Sequence, residues 1–251
     1  MKRLSIWYLS AFYGLVAAVP AMAGQIAVTP SADVAFAYSS APPFRQNFIN
    51  GGKAPLCASV HTGVDRGACS LLRFDLSKMP PNAKVKSAKL ILFPEFDYPA
   101  ASFDNSNRLM VYLLDPENAD WEEGEGDSLR NPESDPIVAP GANGTYVNMT
   151  AWRSEGDHDG TRWLSGKTIG RADFGAEAGS YALADLGLAK GMPIEIPLEG
   201  AVVEKLRSDE KMGRAGLVLW MTTEENPVGT SHFAIFQSRE GENAPELVVE
   251  F

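Results

Sequence analysis

The chain has 251 residues, of which 45% are hydrophobic and 22% charged, with 23 Gly, 17 Pro and 2 Cys. Those fractions exclude a disordered tail, a collagen-like repeat and a disulfide-dense miniprotein, and the length suits one or two domains. A formal net charge of −10 opposes binding to nucleic acid or to an anionic membrane surface.

In chain order, the first segment stands apart from any fold. Lys2 and Arg3 precede an apolar run from Leu4 to Val19 that ends in Ala21-Met22-Ala23, the charged, apolar and small-x-small order of a secretory signal peptide. Ser5, Ser10 and Pro20 interrupt the run, and no later stretch approaches the roughly 20 apolar residues that span a bilayer. Residues 1–23 are therefore expected to be cleaved, leaving a chain secreted to the medium or the periplasm without a membrane span. Cleavage removes two basic residues and no acidic one, so residues 24–251 carry a net charge of −12.

From there on the apolar residues alternate or form short runs between Gly, Pro, Asn and Asp clusters, which predicts strands. They fall at Gln25 to Val28, Asp33 to Tyr38, Ser70 to Phe74, Lys86 to Phe93, Arg108 to Leu114, Thr145 to Val147, Pro193 to Ile196, Ala215 to Thr222, His232 to Gln237 and Pro245 to Phe251. One helix is predicted over Leu198 to Arg207, where Leu198, Ala201, Val202 and Leu206 recur at helical spacing. Many short strands and one short helix predict an all-β fold, a jelly-roll type β-sandwich formed by residues 24–251 as a single domain. Cys57 and Cys69 flank a loop holding Gly63, Asp65 and Gly67. In an oxidising compartment one disulfide is expected to clamp it, worth about 3 kcal/mol by chain entropy.

The spacing of strands breaks between Asn118 and about Gly191, a stretch rich in Asp, Glu, Gly and Pro with one predicted strand. So long a structureless segment inside a domain is usually functional. It holds Trp121, Trp152 and Trp163, three of the five tryptophans, which makes it the first place to look for a ligand site.

Several stretches also resemble a known family. Leu71-Leu72-Arg73-Phe74-Asp75-Leu76-Ser77, Pro80-Pro81-Asn82-Ala83-Lys84-Val85 and Ser87-Ala88-Lys89-Leu90-Ile91-Leu92 are similar to the core motif of DNRLRE-type domains, which are secreted β-sandwich modules. The resemblance runs on through Val111-Tyr112 and Trp121-Glu122, then Trp152, Asp159-Gly160, Trp163 and Asp173-Phe174. It closes with Phe236 to Glu240 and Pro245-Glu246-Leu247-Val248-Val249. It implies binding, since related modules accompany polysaccharide-degrading enzymes and one branch is an alginate-binding carbohydrate module. The chain departs from the family in having Gly170-Arg171-Ala172 where paired glycines precede the equivalent of Asp173.

A sugar site needs flat aromatic faces with polar planar groups beside them. Trp152, Arg153, Arg162 and Trp163, followed by Lys167 and Arg171, supply both and concentrate positive charge on an acidic chain. The structural alternative is that both tryptophans pack the segment onto the sandwich while the arginines pair with nearby carboxylates. Glu155, Asp157 and Asp159 alternate before Gly160 and could present oxygens to Ca²⁺, which could in turn bridge to an acidic glycan. Glu122-Glu123-Gly124-Glu125-Gly126-Asp127 could do likewise, and a solvated acidic loop is the alternative for each.

For catalysis, His61, His158 and His232 sit in no HExxH, GxSxG or phosphate-loop pattern. A polysaccharide lyase could draw on His232, Gln237 and Arg239, although strand alternation sets His232 on the face opposite the other two. The structural alternative for Arg239 is a pairing with a carboxylate at the core edge. The expectation is a secreted, non-catalytic module that binds an extracellular polysaccharide with possible Ca²⁺ assistance. A lyase or a structural matrix protein are the alternatives.

Overall fold

The computed structural model describes residues 24–39, 48–49, 55–61, 66–99, 102–103, 106–123, 173–183, 187–222 and 231–251. Two antiparallel sheets pack face to face. The smaller orders β1 (Gln25–Val28), β12 (Glu246–Glu250), β6 (Ser87–Leu92) and β9 (Ile194–Leu198). The larger runs β11 (Ser231–Phe236), β4 (Leu56–His61), β5 (Arg66–Phe74), β10 (Leu217–Thr222), β7 (Arg108–Leu114) and β8 (Phe174–Ala182). In it β2 (Pro30–Ser39) pairs with β5, and β3 (Phe48–Ile49) with β2. The chain changes sheet on passing from β1 to β2, β5 to β6, β6 to β7, β8 to β9, β9 to β10 and β11 to β12. That wiring is of the jelly-roll type, and the all-β sandwich read from the sequence is the fold.

Alternation decides which side chains meet between the sheets. Leu72 and Phe74 of β5, with Leu76 just beyond, face inward as their spacing requires, against Ala88, Leu90 and Leu92 of β6. The intervening residues build a second core on the outer face of the larger sheet. There Leu71, Met110, Tyr112, Leu114 and Val218 are covered by Trp121 and by Ala215. Trp121 is 1% exposed, and its indole Nε1 donates to Ala215 O at 2.7 Å, so this tryptophan is a packing residue.

The predicted helix is α1 (Gly200–Ser208), with Val202, Val203 and Leu206 buried, while Leu198 closes β9 instead. A shorter α2 (Glu210–Ala215) follows, its first turn capped by Asp209, whose carboxylate accepts from Met212 N at 3.1 Å. Gly216 ends it at φ +83, and a Cβ there would sit 2.2 Å from Leu72 O. Only glycine tolerates both the left-handed backbone and so close an approach of α2 to β5.

The sequence pattern missed β8, β4 and the two-residue β3. β8 (FGAEAGSYA) reads as loop because Gly175 and Gly179 interrupt it. Packing requires the second of these, since a Cβ at Gly179 would lie 2.1 Å from Pro197 O where β8 meets β9. β4 (LCASVH) is short and carries few large apolar side chains. The predicted strand Thr145 to Val147 lies outside the described residues.

The expected disulfide does not form: Cys57 and Cys69 are separate, buried thiols. Register is the reason. Ser59 of β4 pairs with Ala68 of β5, which sets Cys57 opposite Ser70 rather than Cys69. Ser70 Oγ accepts from Cys57 N and donates to Cys57 O, both at 2.8 Å. A one-residue offset sends the two sulfurs to different faces, Cys57 among Ala35 and Ala68 and Cys69 among Val34 and Leu71. Burial pushes the Cys57 thiol up to about 12 and raises Cys69 as well.

Two outcomes follow. Alkylating the unreduced chain in denaturant should add two labels per molecule, and alkylating it folded should add none; mass spectrometry that finds no label after denaturation would establish the disulfide instead. Gly216→Ala should cost about 3 kcal/mol or more in urea unfolding, whereas a loss under about 1 kcal/mol would show that β5 and α2 separate easily.

Candidate functional site

Four side chains from three distant parts of the sequence meet at one edge of the sandwich. Asp33 sits on β2, Glu123 lies in the stretch that follows β7, and Arg239 and Glu240 follow β11. Asp33 is 1% exposed, and its carboxylate accepts from Arg239 N at 2.8 Å. The Arg239 guanidinium pairs with Glu123 at 3.0 Å and with Glu240, and it donates to Ser31 O. The three carboxylates bring one oxygen each within 4.8 Å of the others, a spacing that could hold a cation. Arg239 already supplies one positive charge there, which offsets part of the negative charge of the three carboxylates. Arg239 thus has the structural pairing that the sequence offered as an alternative to catalysis.

Burial, followed by the charges of Glu240 and Glu123, raises the Asp33 carboxyl to about 7, against the pull of Arg239. Burial likewise raises Glu123. Sequence reasoning did not join these residues, because Asp33 and Glu123 are far apart in the chain. The available signal was Asp33 itself, a carboxylate inside an otherwise apolar strand.

A second feature lies along the β11 edge. Residues 93–99 cover that edge: Glu95 N donates to Ile235 O, Gln237 N to Phe93 O, and Ile235 N to the Tyr98 hydroxyl. Tyr98 is buried, with Phe96 and Phe233 edge-on to it at 6.5 and 6.3 Å between centroids. Both phenyl rings remain open to solvent, 51% and 52% exposed. They are two of the three exposed large apolar side chains among the described residues.

The residues singled out for lyase chemistry each have partners within the fold. His232 Nδ1 lies 2.9 Å from Ser102 O, and buried Gln237 accepts from Asn243 N at 2.7 Å. The sugar candidates Trp152, Arg153, Arg162, Trp163, Lys167 and Arg171 lie outside the described residues, as do the Ca²⁺ candidates Glu155, Asp157 and Asp159. No helix among the described residues is long and apolar enough to cross a membrane. No family model and no curated protein matches the chain.

The raised Asp33 carboxyl fixes the sign of a pH effect. Between about pH 4 and 7 the unfolded chain has lost a proton that the native Asp33 keeps, so stability falls as pH rises through this window. Asp33→Asn keeps an acceptor for Arg239 N but cannot ionise. Relative to the wild type it should gain about 1 to 4 kcal/mol on going from pH 4 to pH 8. Parallel urea unfolding curves whose difference does not change with pH would refute the assignment.

Proposed function

We propose that this chain is a secreted or periplasmic, non-catalytic module that binds an extracellular polysaccharide. The observation that carries the reading is the pair of phenyl rings of Phe96 and Phe233, held open to solvent around a buried Tyr98. Leaving two such rings about half exposed forgoes roughly 1 kcal/mol of burial each. A rigid, exposed aromatic pair supplies what a sugar ring needs, flat apolar faces on a fixed backbone. The hydroxyl of Tyr98 is tied to Ile235 N, and the 93–99 strip is bonded to β11 on both sides of it, so the rings sit on ordered backbone.

The resemblance of residues 71–92 and 236–249 to DNRLRE-type domains supports the same reading. Trp152 and Trp163, with Arg153, Arg162, Lys167 and Arg171, remain proposed further contacts for the same glycan. Glu155, Asp157 and Asp159 are proposed as the ligands if Ca²⁺ assists.

Affinity electrophoresis through gels containing neutral or acidic polysaccharides tests the proposal. Retardation in at least one gel should weaken by roughly 30-fold or more in the Phe96→Ala/Phe233→Ala double variant. The melting temperature should move by no more than a few degrees, because both rings contribute little burial. Retardation that survives the double substitution would remove the aromatic pair from the site, and migration unaffected by every glycan would refute the polysaccharide reading.

A further inference from the structure

A cleft of about 610 Å³ opens between the end of β5, the 75–81 turn and the corner where α1 meets α2. Its volume lies in the range of small-molecule sites. Phe74, Leu76, Met79 and Leu206, all buried core residues, give it an apolar floor. Three arginines, Arg73, Arg207 and Arg214, line its walls on a chain whose net charge is −10.

The arginines are held in different ways. Arg73 donates Nε to Arg214 O at 2.6 Å and Nη2 to Trp121 O at 2.8 Å, and its guanidinium lies 4.3 Å over the Trp121 ring. Among the described residues no carboxylate forms an ion pair with it. Arg207 is engaged with Pro80 O and Glu204. Arg214 donates Nη2 to Asp120 at 2.7 Å and is 54% exposed, and among the described residues its other nitrogens have no partner.

Burial lowers the proton affinity of Arg73 and the charge of Arg214 lowers it further, against the opposing charges of Glu122, Asp120 and Glu123. Two like charges therefore converge on one wall. Of the carboxylates lining the cleft, Asp75 is turned into its own loop, where it accepts from Ser77 N at 2.9 Å, and Glu210 sits in the first turn of α2. A guanidinium held by carbonyls and an indole, beside a second one with free donors, is a fork that an anion completes. The apolar floor and the two acidic residues favour a monoanion with a flat or aliphatic face over a polyphosphate.

We propose that this cleft binds a carboxylate-bearing ligand, received by Arg73 and Arg214, whose apolar face lies on Phe74, Leu76 and Met79. The carboxylate can come from an acid sugar of a polysaccharide or from a free organic acid. The site stands apart from the Phe96–Phe233 pair and does not depend on the polysaccharide reading.

Isothermal titration calorimetry of the purified chain with trigalacturonate and with benzoate, against maltotriose and benzamide as neutral counterparts, tests it. At least one carboxylate should bind, its neutral counterpart should bind at least tenfold more weakly, and added salt should reduce the affinity. Binding of trigalacturonate alone assigns the acid sugar, and binding of benzoate alone assigns the free acid. Arg214→Gln, which breaks only an exposed ion pair with Asp120, should weaken binding about tenfold or more at an unchanged melting temperature. Arg214→Lys should fall between the two. The proposal is overturned if neither carboxylate binds, if the neutral counterpart binds equally well, or if Arg214→Gln leaves the affinity unchanged.

Discussion

From Ala68 to Leu72 every residue of β5 is buried, and a buried backbone N–H or C=O left without a partner costs about as much as a hydrogen bond contributes. Both edges of β5 must therefore be occupied. β2 runs along its whole length, while β10 bonds to Ser70 through Leu72 and β4 reaches Ala68. Near Cys57 the β4–β5 ladder has no backbone pair, and the hydroxyl of Ser70 replaces it by bonding to both polar groups of Cys57. One small polar side chain thus keeps β4 attached while the strands diverge. The same alternation gives β5 two apolar faces, so the sandwich needs cover on its outer side as well as between its sheets.

That second cover shapes the arginine cleft. Trp121 lies over the outer core with its indole bonded to Ala215, and Arg73, one residue beyond Leu72, stacks on the indole and donates to the carbonyls of Ala119 and Trp121. Gly216 lets α2 come against β5 at the same corner. Arg73 is therefore a structural residue on one side and a cleft residue on the other. Its role in binding cannot be separated from its role in holding Trp121, whereas Arg214 touches the cover only through its backbone carbonyl and an exposed aspartate.

Strands that obey simple alternation were legible. β1 and β7 have the predicted bounds, and Ala88, Leu90 and Leu92 of β6 face the core as their spacing requires. Where close backbone contact dictates glycine, as at Gly179 in β8, the side-chain pattern vanishes and the strand reads as loop. The disulfide expectation failed for a related reason. Spacing along the chain gives a loop length, but pairing across β4 and β5 is decided by register, and a one-residue offset reverses the face. The edge cluster was legible only in part. Arg239 could be matched to an unnamed carboxylate, and Glu240 is its chain neighbour, yet that Glu123 and Asp33 join them depends on tertiary contacts alone.

The two proposed surfaces draw on the fold in opposite ways. The rings of Phe96 and Phe233 pack near-perpendicular to Tyr98 and stay about half exposed, so their exposure is a standing cost that folding does not require. The cleft instead uses the core as its floor: Phe74, Leu76 and Leu206 are buried whether or not a ligand is present. Binding there adds apolar contact to a preformed surface and brings an anion to the Arg73 charge, already fixed by carbonyls and an indole, so that the ordering left to do is mainly that of Arg214. The Arg73 charge is held near Arg214, and Asp120, Glu122 and Glu123 offset that repulsion only in part. An entering anion relieves more of it, which gives the cleft a preference for carboxylates that shape complementarity alone would not provide.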